Sequence, residues 1–293
     1  MSKIGFIGVG LKGAAMAHRL IDTGHELQIL GNRNRENITA LVDRGATEAS
    51  SAAALAAACE IVMLCVGTSD QVESRMRGED GVIAGLSAGS IVIDFGTSLP
   101  ASTKALASEV EAAGGRYLDA PLGRTPAHAK DGLLNIMCAG DEATYKKVLP
   151  VLNDLGENVF HLGAQGAGHT VKLINNFFGM TVANAMAEAF AMADVQGVDR
   201  QSVYDVMSAG PLHSGMMDLV KGYAVDGDPA QLAFAIKNAA KDVGYYARMA
   251  EQAGVESVMS VSTLGALSDA SENGKGDEMV SQMVDYYAEK LKT

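Results

Sequence analysis

Hydrophobic residues along this chain follow two different patterns, and the change between them predicts two domains. Up to about residue 162, short continuous apolar runs alternate with helical segments, whereas from Gly163 onward the sequence is alanine-rich and helical, with no convincing strand. Continuous apolar runs are typical of parallel strands that are covered on both faces. We therefore expect an α/β domain with a doubly wound parallel Rossmann sheet over residues 1–164, followed by an all-helical domain over residues 165–293.

The predicted elements can be placed along the chain. Strands are predicted at residues 3–9, 26–30, 61–66, 91–95, 116–121 and 134–139, and helices at residues 14–23, 35–44, 52–58 and 101–113. The second part opens with an apolar run from Gly166 to about Val195 that contains no proline and predicts one long helix. Further helices are predicted at residues 199–208, 228–253, 256–272 and 277–292. Asp199 and Asp228-Pro229 are the capping signals for two of them.

A glycine-rich turn follows the first apolar run directly. It reads Gly8-Val9-Gly10-Leu11-Lys12-Gly13. In a strand–turn–helix unit the first glycine permits the turn, the second lets the backbone approach a pyrophosphate, and the third lets the helix pack on the strand. A helix N-terminus favours an anion, and a cation such as Lys12 is unfavourable there unless an anion is bound. The context predicts dinucleotide binding by these residues rather than a purely structural turn.

The end of the second predicted strand indicates which dinucleotide is bound. NAD-binding folds place an acidic residue there, about 20 residues past the glycines, to bind the ribose 2′-hydroxyl. This chain has Gly31-Asn32-Arg33-Asn34-Arg35 instead. Its amides and arginines can bind a 2′-phosphate, which predicts a preference for NADP(H), with NAD(H) as the alternative cofactor. The competing interpretation is a solvated basic turn.

Two later strands end where ligands gather in open α/β sheets, at the carboxyl edge. Val66 ends one of these apolar runs, and Gly96-Thr97-Ser98 follows the next. Val66 and Thr97 are therefore candidate ligand-binding residues.

The long helix of the second part carries one lysine near its start. The segment reads Gly166-Ala-Gly168-His-Thr-Val-Lys172-Leu-Ile-Asn175-Asn176. Helical geometry places Asn176 on the same face as Lys172, one turn later. A lysine that opens an apolar helix costs desolvation free energy unless an anionic or hydrogen-bonding group meets it. Lys172 is therefore a candidate functional residue; the alternative is a lysine that reaches solvent beside a seam of small residues.

Composition restricts the partners and the compartment. The formal net charge is -12, with 48% hydrophobic and 20% charged residues, which predicts a soluble globular protein and argues against nucleic acid. A small anionic substrate in a locally basic pocket fits this balance better. Three widely spaced cysteines suit reduced core thiols better than disulfides or a metal site. The N-terminus has no recognisable signal peptide and no membrane span is visible, so a cytoplasmic protein is expected.

Four blocks of sequence, in order, resemble the β-hydroxyacid dehydrogenase family, relatives of 3-hydroxyisobutyrate dehydrogenase, tartronate semialdehyde reductase and 6-phosphogluconate dehydrogenase. They are residues 6–13, residues 119–123 (Asp-Ala-Pro-Leu-Gly), residues 166–176, and Phe234 with Lys241-Asp242. The resemblance covers nearly the whole chain. It implies reversible hydride transfer between a nicotinamide and a small 3-hydroxy acid or its semialdehyde, in a cleft between the two domains, and a homodimer or homotetramer.

The resemblance also implies individual roles. Lys172 would donate a proton to the carbonyl oxygen on reduction or remove the hydroxyl proton on oxidation, and Asn176 would hold the hydroxyl or the lysine. The remaining positions are Thr97, Gly123 and Asn175 for substrate, with Thr97 also near the cofactor, and Lys241 over the cofactor. A non-catalytic dinucleotide-binding scaffold is the alternative outside the enzymes, and loss of the lysine would be its mark.

The chain departs from the family pattern in three places: Lys12 replaces methionine, Gly96 replaces serine, and the pair Arg124-Thr125 replaces Gly-Gly or Ser-Gly. Gly123-Arg124-Thr125 is similar to the substrate loop of sulfolactaldehyde reductases, which implies that the loop holds a sulfonate. Two alternatives remain for Arg124. It could meet the carboxylate of a substrate such as glyoxylate or succinic semialdehyde, or it could pair with a carboxylate on the protein's own surface.

Overall fold

The computed structural model describes residues 2–31 and 35–292. Contacts divide the chain into two compact units, Met1–Lys172 and Leu173–Thr293. The division falls inside the long helix Ala167–Gln196, whereas the sequence pattern places the domain boundary just before that helix.

The first unit is built on a parallel sheet. Its strands are β1 Lys3–Ile7, β2 Glu26–Leu30, β3 Thr47–Ala49, β4 Ile61–Leu64, β5 Ile91–Asp94 and β6 Arg116–Asp119. Their order is β3-β2-β1-β4-β5-β6, and every neighbouring pair is parallel. This is the strand order of doubly wound dinucleotide-binding folds, so the predicted fold class is confirmed.

A smaller sheet and the surrounding helices complete this unit. The sheet consists of β7 Leu122–Gly123, β8 Leu134–Cys138 and β9 Gly156–His161. The helices are α1 Leu11–Asp22, α2 Glu36–Val42, α3 Ala52–Ala58, α4 Ser69–Met76, α5 Val82–Gly85, α6 Pro100–Ala112, α7 Pro126–Lys130 and α8 Glu142–Leu155. Phe6 and Met63 belong to one buried cluster, Ile7 and Leu64 to another. Neighbouring residues of one strand thus face different cores, as expected for a sheet covered on both faces.

The strands β3, β7 and β9 were not predicted from the sequence. All three lie at the edge of a sheet. Two of the three residues of β3 are exposed, and in β9 Gly156 alone is fully buried. Edge strands of this kind lack the continuous apolar run that identified the central strands.

The second unit is helical among the residues that the structure describes. It contains the rest of α9 Ala167–Gln196, then α10 Arg200–Ser208, α11 Gly215–Ala224, α12 Ile236–Gln252, α13 Val258–Ala270 and α14 Met283–Lys290, with short 3₁₀ turns at Pro229–Leu232 and Val280–Gln282 and an irregular turn at Ser271–Lys275. Asp199 caps α10 by accepting the Ser202 N–H, as its position predicted. The long helix predicted from Gly166 to about Val195 corresponds to α9.

The helix predicted over residues 228–253 is wrong at its start. Asp228 does act as a cap, but of the short 3₁₀ turn Pro229–Leu232, and α12 begins only at Ile236. Between them the backbone pairs with a distant segment: the Ile236 N–H donates to the Glu278 carbonyl, and the Val280 N–H donates to the Phe234 carbonyl, each at 2.9 Å. This long-range pairing satisfies backbone groups that a continuous helix would have satisfied locally. Helix α11, capped by Ser214, was not predicted.

All three cysteines are free thiols, as the composition predicted. Burial raises the pKa of Cys59 and of Cys65 to about 11, and that of Cys138 to about 12. These thiols therefore remain protonated at neutral pH and have little nucleophilic character. In the described part of the chain, no helix combines the length and apolar character needed to cross a membrane.

Candidate active site

The glycines of the turn between β1 and α1 have different physical roles. Gly8 has a φ of +100°, and a Cβ atom there would lie 2.4 Å from the Cys65 carbonyl oxygen. A Cβ at Gly13 would lie 2.0 Å from the Gly8 carbonyl oxygen. At Gly10, by contrast, no heavy atom of the described residues lies within 4 Å of the Cβ position. The protein's own packing requires Gly8 and Gly13, whereas Gly10 keeps the backbone accessible, as pyrophosphate binding needs.

A cavity of about 470 Å³ adjoins this turn, within the range of about 300–1,000 Å³ that is usual for cofactor sites. It is lined by Ile7, Gly8, Val9, Gly10, Leu11, Leu30, Gly31, Asn37, Val66, Gln71 and Arg75. The structure thus brings together the predicted residues 8–11 and Val66. Lys12, Gly13, Arg35 and Thr97 are not among the lining residues.

Two lining residues that the sequence interpretation missed hold the surrounding loops. The Asn37 side-chain amide donates to the Val9 carbonyl at 2.9 Å, and the Gln71 side-chain oxygen accepts the Gly67 N–H at 2.9 Å. Each lies in the first turn of a helix that follows a strand. A polar side chain in the first helical turn after a strand was the sequence feature that could have identified them.

The basic segment after β2 is only partly described. Asn32, Arg33 and Asn34 lie outside the described residues. Arg35 forms a bidentate pair with Glu48, with both N···O distances at 2.7 Å. This hydrogen bonding lowers the pKa of Glu48. A Cβ at Gly31 would lie 1.9 Å from a Glu48 oxygen, so a carboxylate does stand at the end of β2. It is supplied by the neighbouring strand β3 and was therefore invisible in the sequence of β2.

Lys12 and Arg124 are linked through the candidate substrate loop. The Lys12 ammonium donates to the Arg124 carbonyl oxygen at 2.9 Å. The sequence interpretation allowed only a bound anion to favour this lysine, but a carbonyl oxygen of the protein also accepts its proton. Arg124 has a φ of +72°, which is uncommon for a residue with a side chain.

The Arg124 side chain is engaged at one of its nitrogens. Nη1 donates to the Leu133 carbonyl at 2.6 Å and to the Glu157 carboxylate. The Thr125 hydroxyl is 2.7 Å from the Nδ1 atom of His128. The pairing of Arg124 with a protein carboxylate, one of the alternatives from the sequence, is therefore present. Gly123 is partly buried against Asn135.

The loop that carries Thr97 is held by a fully buried carboxylate. Asp94, at the end of β5, accepts the Gly96 N–H at 2.8 Å and the Ser98 hydroxyl at 2.9 Å. The Tyr117 hydroxyl is 3.4 Å from the same group, and burial together with Asp94 raises the pKa of Tyr117 well above its usual value. Thr97, between the two bonded residues, remains partly exposed.

A second buried carboxylate holds the start of α9. Asp119, at the end of β6, accepts the Gly166 N–H at 2.8 Å, the His169 N–H at 2.9 Å and the Gln165 amide at 2.9 Å. A carboxylate at a helix N-terminus also interacts favourably with the helix dipole. A Cβ at Gly168 would lie 2.2 Å from the Met137 carbonyl oxygen and 2.8 Å from Asp119. The glycine motif thus lets the first turn of α9 approach the sheet, and Lys172 follows one turn after His169.

His169 connects the two buried carboxylates. It is 0% exposed, and its Nδ1 atom is 2.7 Å from the Thr103 hydroxyl. Its Nε2 atom lies 3.7 Å from Asp94. Asp94, Asp119 and His169 therefore form one buried polar cluster that links the Thr97 loop with the start of α9. The sequence interpretation assigned no role to Asp94 or His169, and it included Asp119 only in the block of residues 119–123 that the resemblance links to substrate.

In the second unit, another buried carboxylate joins α9 and α12. Asp242 is 2% exposed. It accepts a hydrogen bond from the Asn176 amide at 2.5 Å and lies 2.8 Å from the Lys241 ammonium. Asn175 is exposed, with its amide 3.3 Å from the Asn176 side-chain oxygen. Asp242 thus orients both Asn176 and Lys241, whereas the sequence interpretation gave Asp242 no individual role.

Comparison with known families agrees with this geometry. Residues 3–163 match the family model described as the NAD binding domain of 6-phosphogluconate dehydrogenase. Residues 166–287 match the model described as NAD-binding of NADP-dependent 3-hydroxyisobutyrate dehydrogenase. The chain therefore belongs to the β-hydroxyacid dehydrogenase family, as its four sequence blocks indicated.

Individual relatives narrow the class of enzyme. The chain is 32% identical to 3-sulfolactaldehyde reductase of Escherichia coli (strain K12), over 94% of this chain and 92% of that protein. It is 32% identical to 2-hydroxy-3-oxopropionate reductase of the same strain, over 74% of each chain. The crystal structure of a 3-hydroxyisobutyrate dehydrogenase from Salmonella typhimurium superposes with a TM-score of 0.84 and 27% identity, over 98% of this chain and 100% of that one. The chain is an NAD(P)-binding oxidoreductase of the 3-hydroxyacid dehydrogenase type.

The Asp119 contacts generate a stability prediction. In Asp119→Asn, the amide NH₂ group would face an N–H donor of the helix and leave it unsatisfied, so we expect a loss of about 2 kcal/mol in the free energy of unfolding. Asp141→Asn is the matched control: Asp141 caps α8 by accepting the Thr144 N–H, and asparagine is an equally good cap there. The measurement is urea unfolding followed by circular dichroism. Equal midpoints for Asp119→Asn and the wild type would contradict the assigned role.

Proposed function

We propose that the protein is an NADP(H)-preferring reductase of small aldehydes that carry a terminal anion, with 3-sulfolactaldehyde as substrate and 2,3-dihydroxypropane-1-sulfonate as product. The observation that carries the catalytic part is the start of α9, where Asp119 and Gly168 hold the turn before Lys172. Support for the substrate comes from the similarity to 3-sulfolactaldehyde reductase over 94% of the chain and from Gly123-Arg124-Thr125.

Lys172 is the proposed general acid. When bound, NADP(H) supplies the hydride at nicotinamide C4. As the carbonyl carbon becomes a carbinol carbon, its oxygen gains negative charge and needs a proton, which the Lys172 ammonium donates. A lysine side chain is ordinarily protonated near neutral pH and can therefore donate a proton, as reduction requires. In oxidation the same nitrogen, once neutral, removes the hydroxyl proton.

The neighbouring polar groups position the reacting oxygen. Asn176 lies one helical turn after Lys172, and Asp242 accepts one of its amide hydrogens at 2.5 Å. This leaves Asn176 in a fixed orientation in which it can bond the substrate hydroxyl. We propose that Thr97, Gly123 and Asn175 contribute further substrate contacts, and that Lys241 lies over the cofactor.

Arg124 is the proposed binding group for the substrate's terminal anion, with Thr125 beside it. Its Nη1 atom already donates hydrogen bonds to the Leu133 carbonyl and the Glu157 carboxylate. An arginine has five N–H donors, and among the described residues its Nε and Nη2 atoms have no hydrogen-bond acceptor. The pairing with Glu157 therefore leaves donors for a substrate. A sulfonate offers three oxygens in a tetrahedral arrangement, so the guanidinium, the Thr125 hydroxyl and loop N–H groups can each find an acceptor.

A carboxylate semialdehyde is the second candidate substrate. The similarity to 2-hydroxy-3-oxopropionate reductase favours it, and Arg124 can bind a carboxylate in the bidentate manner. Glyoxylate, succinic semialdehyde and 3-hydroxyisobutyrate belong to the same class. Outside the enzymes, a dinucleotide-binding scaffold would need no acid at position 172.

We further propose a cytoplasmic homodimer or homotetramer. The free, protonated thiols suit a reducing compartment. In the second unit, Phe178 is 68% exposed, Val258 75% and Val261 66%. Large exposed apolar side chains of this kind often contact a partner subunit.

The first prediction from this function concerns Lys172. We expect Lys172→Ala to lower kcat by roughly 10²- to 10⁴-fold, the usual contribution of general acid catalysis, while the Kd for NADPH stays within about twofold of the wild-type value. Lys146→Ala is the control, because Lys146 is exposed and pairs with Glu142 on α8. If Lys172→Ala keeps more than about a tenth of the wild-type kcat, the lysine is not the acid.

The second prediction concerns the substrate. We expect kcat/KM for 3-sulfolactaldehyde to exceed that for glyoxylate, succinic semialdehyde and 2-hydroxy-3-oxopropionate, each measured with NADPH and NADH. Arg124→Ala should lower kcat/KM for the sulfonate by about tenfold or more, because it removes a charge-assisted contact. If the wild type has a higher kcat/KM for the carboxylate substrates, the sulfonate assignment is wrong. The same holds if Arg124→Ala leaves the ratio of kcat/KM values for sulfonate and carboxylate unchanged. In both cases the general hydroxyacid function still stands.

The third prediction concerns assembly. Multi-angle light scattering at micromolar concentration should show two or four times the 30.4 kDa of one chain, because burying the exposed apolar residues of the helical unit favours association. A single species of monomer mass would contradict it.

A further inference from the structure

Arg75 is a basic residue at the dinucleotide cavity that sequence motifs did not identify. It lies in the last turn of α4 and is partly buried. It lines the cavity of about 470 Å³ that begins at the glycine turn, and also a neighbouring cavity of about 570 Å³. Leu30 and Gly31, at the end of β2, line both cavities as well. Arg75 therefore stands where the dinucleotide cavity passes the end of β2.

The guanidinium of Arg75 has no partner among the described residues, whether by hydrogen bond, ion pair or ring contact. Its neighbour Arg77 is different, because it bonds Glu73 and Glu109. A partly buried guanidinium loses hydration without a replacement unless a ligand supplies acceptors.

The sequence suggested four residues for a 2′-phosphate: Asn32, Arg33, Asn34 and Arg35. The first three lie outside the described residues, and Arg35 is already paired with a carboxylate. Glu48 accepts hydrogen bonds from both Nη atoms of Arg35, whereas Arg124 uses only Nη1 toward Glu157. Arg35 is not among the residues that line the cavity. To bind a phosphate it would have to share or lose its carboxylate, and a free Glu48 carboxylate beside Gly31 would repel the phosphate.

In folds of this type the pyrophosphate lies at the glycine turn and the adenosine ribose lies at the end of the second strand. In this chain those positions are Gly10 and Gly31, and both line the cavity that reaches Arg75. We propose that Arg75 binds the adenosine 2′-phosphate of NADP(H), and that Glu48 limits the contribution of Arg35 by pairing with it. This inference rests on the proposed use of NADP(H), and it adds Arg75 and Glu48 as residues that determine cofactor specificity.

The test is direct cofactor binding without substrate, measured by protein and nicotinamide fluorescence. Arg75→Gln should raise the Kd for NADPH by at least about tenfold, the size of one charge-assisted contact, and change the Kd for NADH less than about twofold, because NADH lacks the phosphate. Glu48→Gln should leave the Kd for NADPH unchanged or lower it. Arg77, at the C-cap of α4, lines only the second cavity. Arg77→Gln is therefore the control and should not change the ratio of the two Kd values.

The outcomes distinguish the proposed contact of Arg75 with the 2′-phosphate from the preference for NADP(H) on which it rests. If Arg75→Gln weakens both cofactors equally, or neither, the assignment of Arg75 to the 2′-phosphate is wrong. If Arg33→Gln or Arg35→Gln shows the NADPH-specific loss while Arg75→Gln does not, the phosphate is bound by that arginine and the assignment to Arg75 is wrong. The wild-type ratio of Kd values tests the NADP(H) preference by itself: tighter NADH binding would remove that preference, while an NADPH-specific loss in Arg75→Gln would still support the contact. Urea midpoints of each variant exclude unfolding as the cause.

Discussion

The position of the proposed catalytic lysine depends on one buried interaction, the carboxylate of Asp119 with the first turn of α9. Three donors converge on this group at 2.8–2.9 Å, and two of them are backbone N–H groups that the helix cannot satisfy internally. Because the contact fixes the end of β6 relative to the start of the helix, everything carried on the next turn is placed with respect to the sheet. Lys172 is carried on that turn.

The glycines show why this contact can form only with a particular sequence. At Gly168 and Gly13, a side chain would overlap backbone oxygen atoms at about 2 Å, which neither neighbour can relieve without moving a strand or helix. Gly10 meets no such obstacle among the described residues. The two glycine motifs, at residues 8–13 and 166–168, therefore differ. Gly13 and Gly168 allow close packing within the protein, whereas Gly10 leaves the backbone accessible to a ligand.

The sequence predicted what depends on local pattern and missed what depends on distant partners. The central strands, the long helix and the glycine turn follow from runs and spacings within a few residues, so they could be found. The carboxylates at functional positions could not be placed, because each acts on residues far along the chain: Glu48 on Arg35, Asp119 on Gly166 and Asp242 on Asn176. The break before α12 has the same cause, a backbone pairing with residues 278–280.

An acidic chain that is to bind an anionic cofactor and an anionic substrate must keep its carboxylates from repelling them. Here the carboxylates near the proposed sites accept hydrogen bonds from the protein itself. Asp94 and Asp119 accept them from N–H and hydroxyl groups, and Glu48 accepts them from Arg35. Saturated in this way and mostly buried, these carboxylates orient loops and helix ends. Among the described residues beside these sites, the Arg75 guanidinium and the Nε and Nη2 atoms of Arg124 have no acceptor from the protein. The overall charge of -12 is thus compatible with local anion binding, because an anion is bound by the donors that the protein's own carboxylates do not occupy.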